Sequence, residues 1–174
     1  MRVLILPLLL LAAQAAHAQS ADSGRNVRGA VIAPAGVSFE VAGQASVTDG
    51  DTIEIKGQRI RLFGIDAPEG GQTCQDSDGQ EYRCGQRAAL ALDEEIASWT
   101  VFCDQRDVDQ YGRIVAVCHA QDKDLNAWLV REGYAVAYRE FSSDYVDEEQ
   151  EAREAKRGLW NGMFINPANY RRSQ

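Results

Sequence analysis

Apolar and polar residues alternate from Val37 to Val47, with Val37, Phe39 and Val41 on one face and Val47 beyond a break at Gly43-Gln44. A period of two predicts a strand. Asp49-Gly50 then reads as a turn. Thr52 to Ile55 predicts a second strand, Lys56-Gly57-Gln58 a turn, and Arg59 to Ile65 a third strand. The run Asp66 to Gly71 cannot continue it, because Pro68 lacks an amide donor and two glycines follow. Between Cys84 and Trp99 the period becomes helical, with Ala89, Leu92, Ile96 and Trp99 in phase. Thr100 to Cys103 and Arg113 to Cys118 predict two more strands, joined by an acidic loop that ends in Tyr111-Gly112.

Two helices follow. Asp124 caps Leu125 to Glu132, which stops at Gly133, and Ala135 to Tyr138 is extended. Ser143 or Asp144 caps a last helix running to Arg157, acidic in its first turns and basic in its last, an order that suits the helix dipole. Three strands, a helix, two strands and two helices predict an α+β chain, a five-stranded OB-fold β-barrel with three helices over residues 36–162. Residues 163–174 read as a C-terminal tail, and residues 19–35, polar and rich in Gly and Ala, as a flexible N-terminal segment.

Composition changes the picture at the N-terminus. Met1-Arg2, the uncharged run Val3 to Ala16 and the small residues of Ala16-His17-Ala18 have the form of a signal peptide over residues 1–18. The run is shorter than the roughly 20 residues needed to span a bilayer. The expectation is a periplasmic or secreted protein that leaves the membrane after cleavage. The four cysteines fit export: they form no C-x-x-C pair, which disfavours zinc. Disulfides are expected instead. Cys74 and Cys84 bracket a polar loop, and Cys103 and Cys118 lie on neighbouring strands, so those two pairings are predicted.

Histidine removes several chemistries. The chain has two, and His17 lies in the leader, leaving His119. A multi-histidine metal centre is excluded, and no G-x-S-x-G elbow accompanies a serine triad. The formal net charge is −8. Nucleic-acid binders usually carry a basic footprint. Any such function here needs a local site and a bound cation.

Such a site is legible. The turn at Lys56 to Gln58 folds the second strand onto the third, bringing Asp51 near Asp66 at one end of a hairpin. Two converging carboxylates, with the Ala67 carbonyl as a further oxygen donor, suit calcium or magnesium. Glu69, just past Pro68, is placed to act as a general base. Arg61 and Arg113 are placed to fork onto phosphate oxygens. Tyr111 offers a ring or hydroxyl to a substrate.

On Asp49-Gly50-Asp51-Thr52, on Arg61 through Glu69 and on Tyr111-Gly112-Arg113, the sequence resembles the staphylococcal nuclease family from about Val37 to Trp160. The resemblance implies one Ca²⁺ held by Asp51, Asp66 and the Ala67 carbonyl. It implies Glu69 as base, Arg61 and Arg113 as phosphate clamps, and hydrolysis of the 5′ P–O bond of single-stranded DNA or RNA to leave 3′-phosphates. Tyr138 matches one of two nucleotide-contacting tyrosines; Glu140 and Phe141 stand where the second is expected. Gln110 replaces a lysine before the Tyr-Gly-Arg motif. A monomer without a stable protein partner is expected. The alternative is a catalytically weak OB-fold module that binds oligonucleotide or protein.

Overall fold

The computed structural model describes residues 41–174. The expected signal peptide, the segment 19–35 and the start of the first strand at Val37 lie outside the described residues. The first described strands are β1 (Val41–Gly43) and β2 (Ala45–Asp49), separated at the anticipated break. β3 (Thr52–Ile55) and β4 (Gln58–Leu62) form a hairpin through Lys56 and Gly57, both at positive φ. That is the backbone twist a two-residue hairpin turn requires.

The third strand does not run on to Ile65. It breaks at Phe63-Gly64, and Ile65–Asp66 forms a separate short strand, β5. Gly64 has φ +73°, and a Cβ there would lie 2.9 Å from the Tyr145 ring. The chain therefore turns under that ring and leaves the main sheet. After β6 (Cys74–Gln75) and β7 (Glu81–Tyr82) comes helix α1 (Cys84–Ile96). Its buried stripe is Ala88, Leu92 and Ile96. Ala88 replaces the expected Ala89, and Trp99 lies beyond the helix end and is exposed.

β8 (Val101–Val108) runs five residues beyond the expected Cys103, and β9 (Ile114–Ala120) two beyond Cys118. Pairing with β9 carries β8 out of the core, so its last residues are exposed and show no apolar pattern. β10 (Lys123–Asp124) leads into α2 (Leu125–Arg131), where Asp124 accepts from the Ala127 N–H as expected of a cap. β11 (Val136–Ala137) pairs with β5, and α3 (Val146–Glu154) is followed by a 3₁₀ turn, Gly158–Asn161. α3 starts later than expected: Tyr145 occupies the cap position and makes no side-chain cap bond.

The main sheet runs β1-β8-β9-β4-β3-β2, with β10 on the edge of β9. All pairs are antiparallel except β4 with β9. This mixed sheet with helices against it is an OB-like α+β fold. Ile53, Ile55, Ile60, Leu62 and Ile65 meet Leu92 and Ile96 of α1 and Leu125 and Leu129 of α2 in the core. Both expected disulfides are present, Cys74–Cys84 and Cys103–Cys118, the second joining directly opposed residues of β8 and β9.

Residues 163–174, expected as a tail, contain a fourth helix, α4 (Pro167–Arg172). Asn166 caps it through the Ala168 N–H at 3.0 Å, and Pro167 and Ala168 are buried. Met163 is tied to Gln75 by two backbone hydrogen bonds of 2.8 and 3.0 Å, and the Ile165 carbonyl accepts from the Gln72 side chain at 2.7 Å.

Candidate active site

The hairpin places Thr52 directly opposite Arg61, so Asp51 and the Arg61 side chain meet at one end of β3 and β4. Arg61 donates from Nη1 to Asp51 Oδ1 at 2.9 Å and from Nη2 to Asp66 Oδ1 at 3.1 Å. The β3–β4 hairpin brings Asp51 to Arg61, and the turn at Phe63-Gly64 with β5 brings Asp66 onto the same guanidinium. Both aspartates are buried. Asp51 Oδ2 also accepts from the Ala67 N–H at 3.1 Å, which fixes its rotamer against the loop that carries Glu69.

The electrostatics follow from this burial. Desolvation pushes the Asp51 carboxyl up to about 7; Arg61 and the Ala67 N–H pull it down, while Asp49 and Asp66 add to the rise. Burial works against the charge on Arg61, but Asp51 and Asp66 outweigh it and hold its pKa above the ordinary value. A buried carboxylate that resists ionising beside one arginine is a place where added positive charge is favourable. Its oxygens are hard donors of the kind that hold calcium or magnesium. Asp51 and Asp66 therefore fit such an ion. Among the described residues, no group of three Asp, Glu, His or Cys side chains forms a ready-made cage.

Glu69 sits in the loop between β5 and β6, and its backbone is held from both sides by Gln72. The Glu69 N–H donates to Gln72 Oε1 at 3.2 Å, and the Gln72 N–H donates to the Glu69 carbonyl at 2.7 Å. The loop lies directly on the start of α1: a Cβ on Gly85 would fall 1.8 Å from the Glu69 carbonyl oxygen. Only a glycine permits that approach. On the other side, Gly50 packs against Ala67 and Ala88, where a Cβ would lie 2.8 and 2.9 Å from theirs. Small residues thus seat the Asp51 turn, the Ala67 backbone and α1 against one another.

Arg113 approaches from the β8–β9 hairpin. Asp109 organises that turn, accepting from the Tyr111 and Arg113 N–H groups at 2.9 Å each and from Arg113 Nε at 2.6 Å. The Arg113 guanidinium lies 5.6 Å from the centre of the exposed Tyr111 ring. Tyr138 stacks obliquely on Phe141 at 4.7 Å, and its N–H donates to the Gly64 carbonyl at 2.9 Å. Asp51, Arg61, Ala67, Glu69, Tyr111, Arg113, Tyr138 and Phe141 all line one cleft of about 770 Å³. Asp66, nearly sealed from solvent, touches that cleft through Arg61.

A model of the family described as staphylococcal nuclease homologue matches residues 59–162. The chain belongs to the staphylococcal nuclease family. By that membership it is an enzyme of the nuclease class, and the expected fold and resemblance hold. The succinoglycan biosynthesis protein ExoI of Rhizobium meliloti (strain 1021) is 43% identical over 132 residues, covering 74% of this chain and 69% of that protein. An uncharacterized endonuclease of Escherichia coli is 38% identical over 122 residues, covering 66% of this chain and 73% of its own length. A micrococcal nuclease of Shigella flexneri is 33% identical over 132 residues, covering 66% and 70% respectively.

Sequence reasoning missed three contributors to this nuclease's cleft. Gln72, fully buried, bridges the Glu69 backbone to the Ile165 carbonyl. Gly85 gives the Glu69 loop its seat. Arg171, from the segment read as a tail, donates from Nη1 to Asp66 Oδ1 at 2.9 Å and to Glu69 Oε1 at 2.8 Å, and from Nη2 to Asp66 Oδ2 at 3.0 Å. No local pattern signals a contact 105 residues away in the chain. The Asn166-Pro167 pair, a cap followed by a first-turn proline, was the one readable sign of the helix that makes it.

Proposed function

We propose that this nuclease is exported and calcium-dependent, and that it hydrolyses the 5′ P–O bond of DNA or RNA with Glu69 as general base and Arg61 and Arg113 as phosphate clamps. The observation that carries this reading is the convergence of those three side chains with Asp51 on a single cleft rimmed by Tyr111, Tyr138 and Phe141. Relatives named endonuclease and micrococcal nuclease support the substrate class. The leader-like residues 1–18 and the two disulfides support export.

Asp51 and Asp66 are the side chains that would hold the calcium, with the Ala67 carbonyl as the further oxygen donor the family resemblance implies. When bound, the ion supplies positive charge against a phosphate oxygen and a site for water. Glu69, partly exposed at the cleft wall, accepts the proton of the attacking water on Oε. The water oxygen bonds to phosphorus as the bond from phosphorus to the 5′ oxygen breaks opposite, and that oxygen departs as the 5′ hydroxyl, taking its proton from solvent. A placed general base contributes about 10²–10⁴-fold in rate. Arg61 and Arg113 stay charged throughout and donate to the oxygens on which charge accumulates. The exposed rings of Tyr111 and Phe141 offer faces on which bases of a single strand stack without regard to sequence.

The test is cleavage of single-stranded DNA by purified oxidised protein, with calcium or with chelator. Calcium-dependent cleavage that disappears in Glu69→Ala and loses its calcium response in Asp51→Ala is expected. Cleavage by wild type no faster than by Glu69→Ala would overturn the reading.

A further inference from the structure

Arg171 stands where a nuclease of this design has most need of open carboxylates. Its guanidinium takes both oxygens of Asp66 and one of Glu69, with all three contacts between 2.8 and 3.0 Å. Asp66 Oδ1 is engaged a second time by Arg61. One aspartate therefore faces two guanidinium groups, which leaves Oδ2 with the carboxylate's last open lone pair. A divalent ion binds a carboxylate oxygen at about 2.3–2.6 Å. An ion at Asp66 would thus share its ligand with Arg171 and lie close to a like charge.

The helix that carries Arg171 is held in place. The Met163–Gln75 pairing ties its approach to the loop stapled by Cys74–Cys84, and the Gln72–Ile165 bond ties it to the Glu69 loop. At the far end, Arg172 pairs with Glu140 at 3.1 Å, beside the segment bearing Tyr138 and Phe141. α4 thus straps the metal end of the cleft to its aromatic end. The contact is a built feature of the fold.

We propose that Arg171 is a tethered cation that competes with the divalent ion for Asp66, so that the C-terminal helix sets the calcium concentration at which the nuclease switches on. Calcium entry displaces the guanidinium from Asp66 and, with it, frees Glu69 to accept a proton. This rests on the calcium reading given above. Because Arg171 opposes one cation with another, its removal strengthens calcium binding, whereas a residue that merely positions Asp66 would weaken binding when removed.

The experiment is calorimetric titration of the full oxidised chain with calcium alone, without nucleic acid. Arg171→Gln is expected to bind calcium about 5–150-fold more tightly than wild type, the usual range for coupling between two sites. Arg171→Lys, which keeps the charge but not the two-pronged contact, falls between. Arg131→Gln, at a surface pair with Glu148 and Glu151 outside the cleft, leaves the affinity unchanged. The calcium concentration for half-maximal cleavage shifts in the same order. Unchanged or weaker binding in Arg171→Gln overturns this proposal while leaving the calcium nuclease intact. No calcium binding by wild type or variant overturns both. Denaturant unfolding of each variant without calcium confirms that a folded protein was titrated, and Arg171→Lys carries the comparison if Arg171→Gln is unstable: calcium binding by it no tighter than wild type then overturns the proposal.

Discussion

Replacing Gly85 with alanine is the sharpest test of how the Glu69 loop is seated. The added methyl would lie 1.8 Å from the Glu69 carbonyl oxygen, 2.5 Å from its carbon and 3.0 Å from the Gly70 Cα. Real Cβ contacts essentially never fall below 3.0 Å, so the loop must retreat by about 1 Å or more. Overpacking of this kind costs roughly 1–3 kcal/mol. Alanine returns about 0.5–1 kcal/mol inside a helix relative to glycine. The net loss of stability is therefore about 0–2.5 kcal/mol. A misplacement of about 1 Å in a catalytic group can cost on the order of 10²-fold in rate. The expected signature is disproportion: kcat on single-stranded DNA falls about 100-fold, while the urea midpoint moves modestly. Gly70→Ala is the control in the same loop, because nothing lies within 4 Å of the methyl it would add. Gly85→Ala with wild-type kcat, or Gly70→Ala with an equal loss, would refute the claim that this contact positions Glu69.

Asn126 is fully buried, donates to the Phe63 and Ala116 carbonyls at 2.9 and 3.2 Å, and accepts from the Cys118 N–H at 3.1 Å. Asn126→Ala leaves buried backbone groups unpaired and is expected to lower unfolding free energy by roughly 2–5 kcal/mol, read from urea melts with an unchanged m-value. The pH prediction rests on Asp51, whose folded pKa is raised to about 7 from 3.8. Calcium must displace that proton, so affinity weakens as pH falls below about 7, and titrations in buffers of different ionisation heat register proton release. Because the shift is upward, the metal-free protein is stabilised by the bound proton below about 4 and loses that contribution as pH rises through about 7. An affinity that is flat from pH 5.5 to 8 would count against Asp51 as a ligand.

What the sequence made legible were features set by neighbours along the chain. The two-residue turn at Lys56-Gly57 and the short β3–β4 hairpin fix where Asp51 and Arg61 meet, and both follow from local pattern. The Cys103–Cys118 bridge followed from two strands that had to be neighbours. The features that escaped depend on distant partners. β5 leaves the sheet because Tyr145 covers Gly64, some 80 residues on. The outer half of β8 is a strand because β9 pairs with it, although its own residues are polar and exposed. Arg61, read from the sequence as a phosphate fork, here turns both Nη groups to Asp51 and Asp66 and supplies the positive charge that pair demands. Arg171 adds a second such charge from the far end of the chain.

The strap formed by α4 also has a practical side. A purification tag or fusion partner joined after Gln174 would begin within one helical turn of a side chain that touches both Asp66 and Glu69. Kinetic constants measured on such a fusion would then report the appendage as well as the enzyme. An affinity handle placed ahead of Val41 leaves the contacts of α4 with Asp66 and Glu69 untouched.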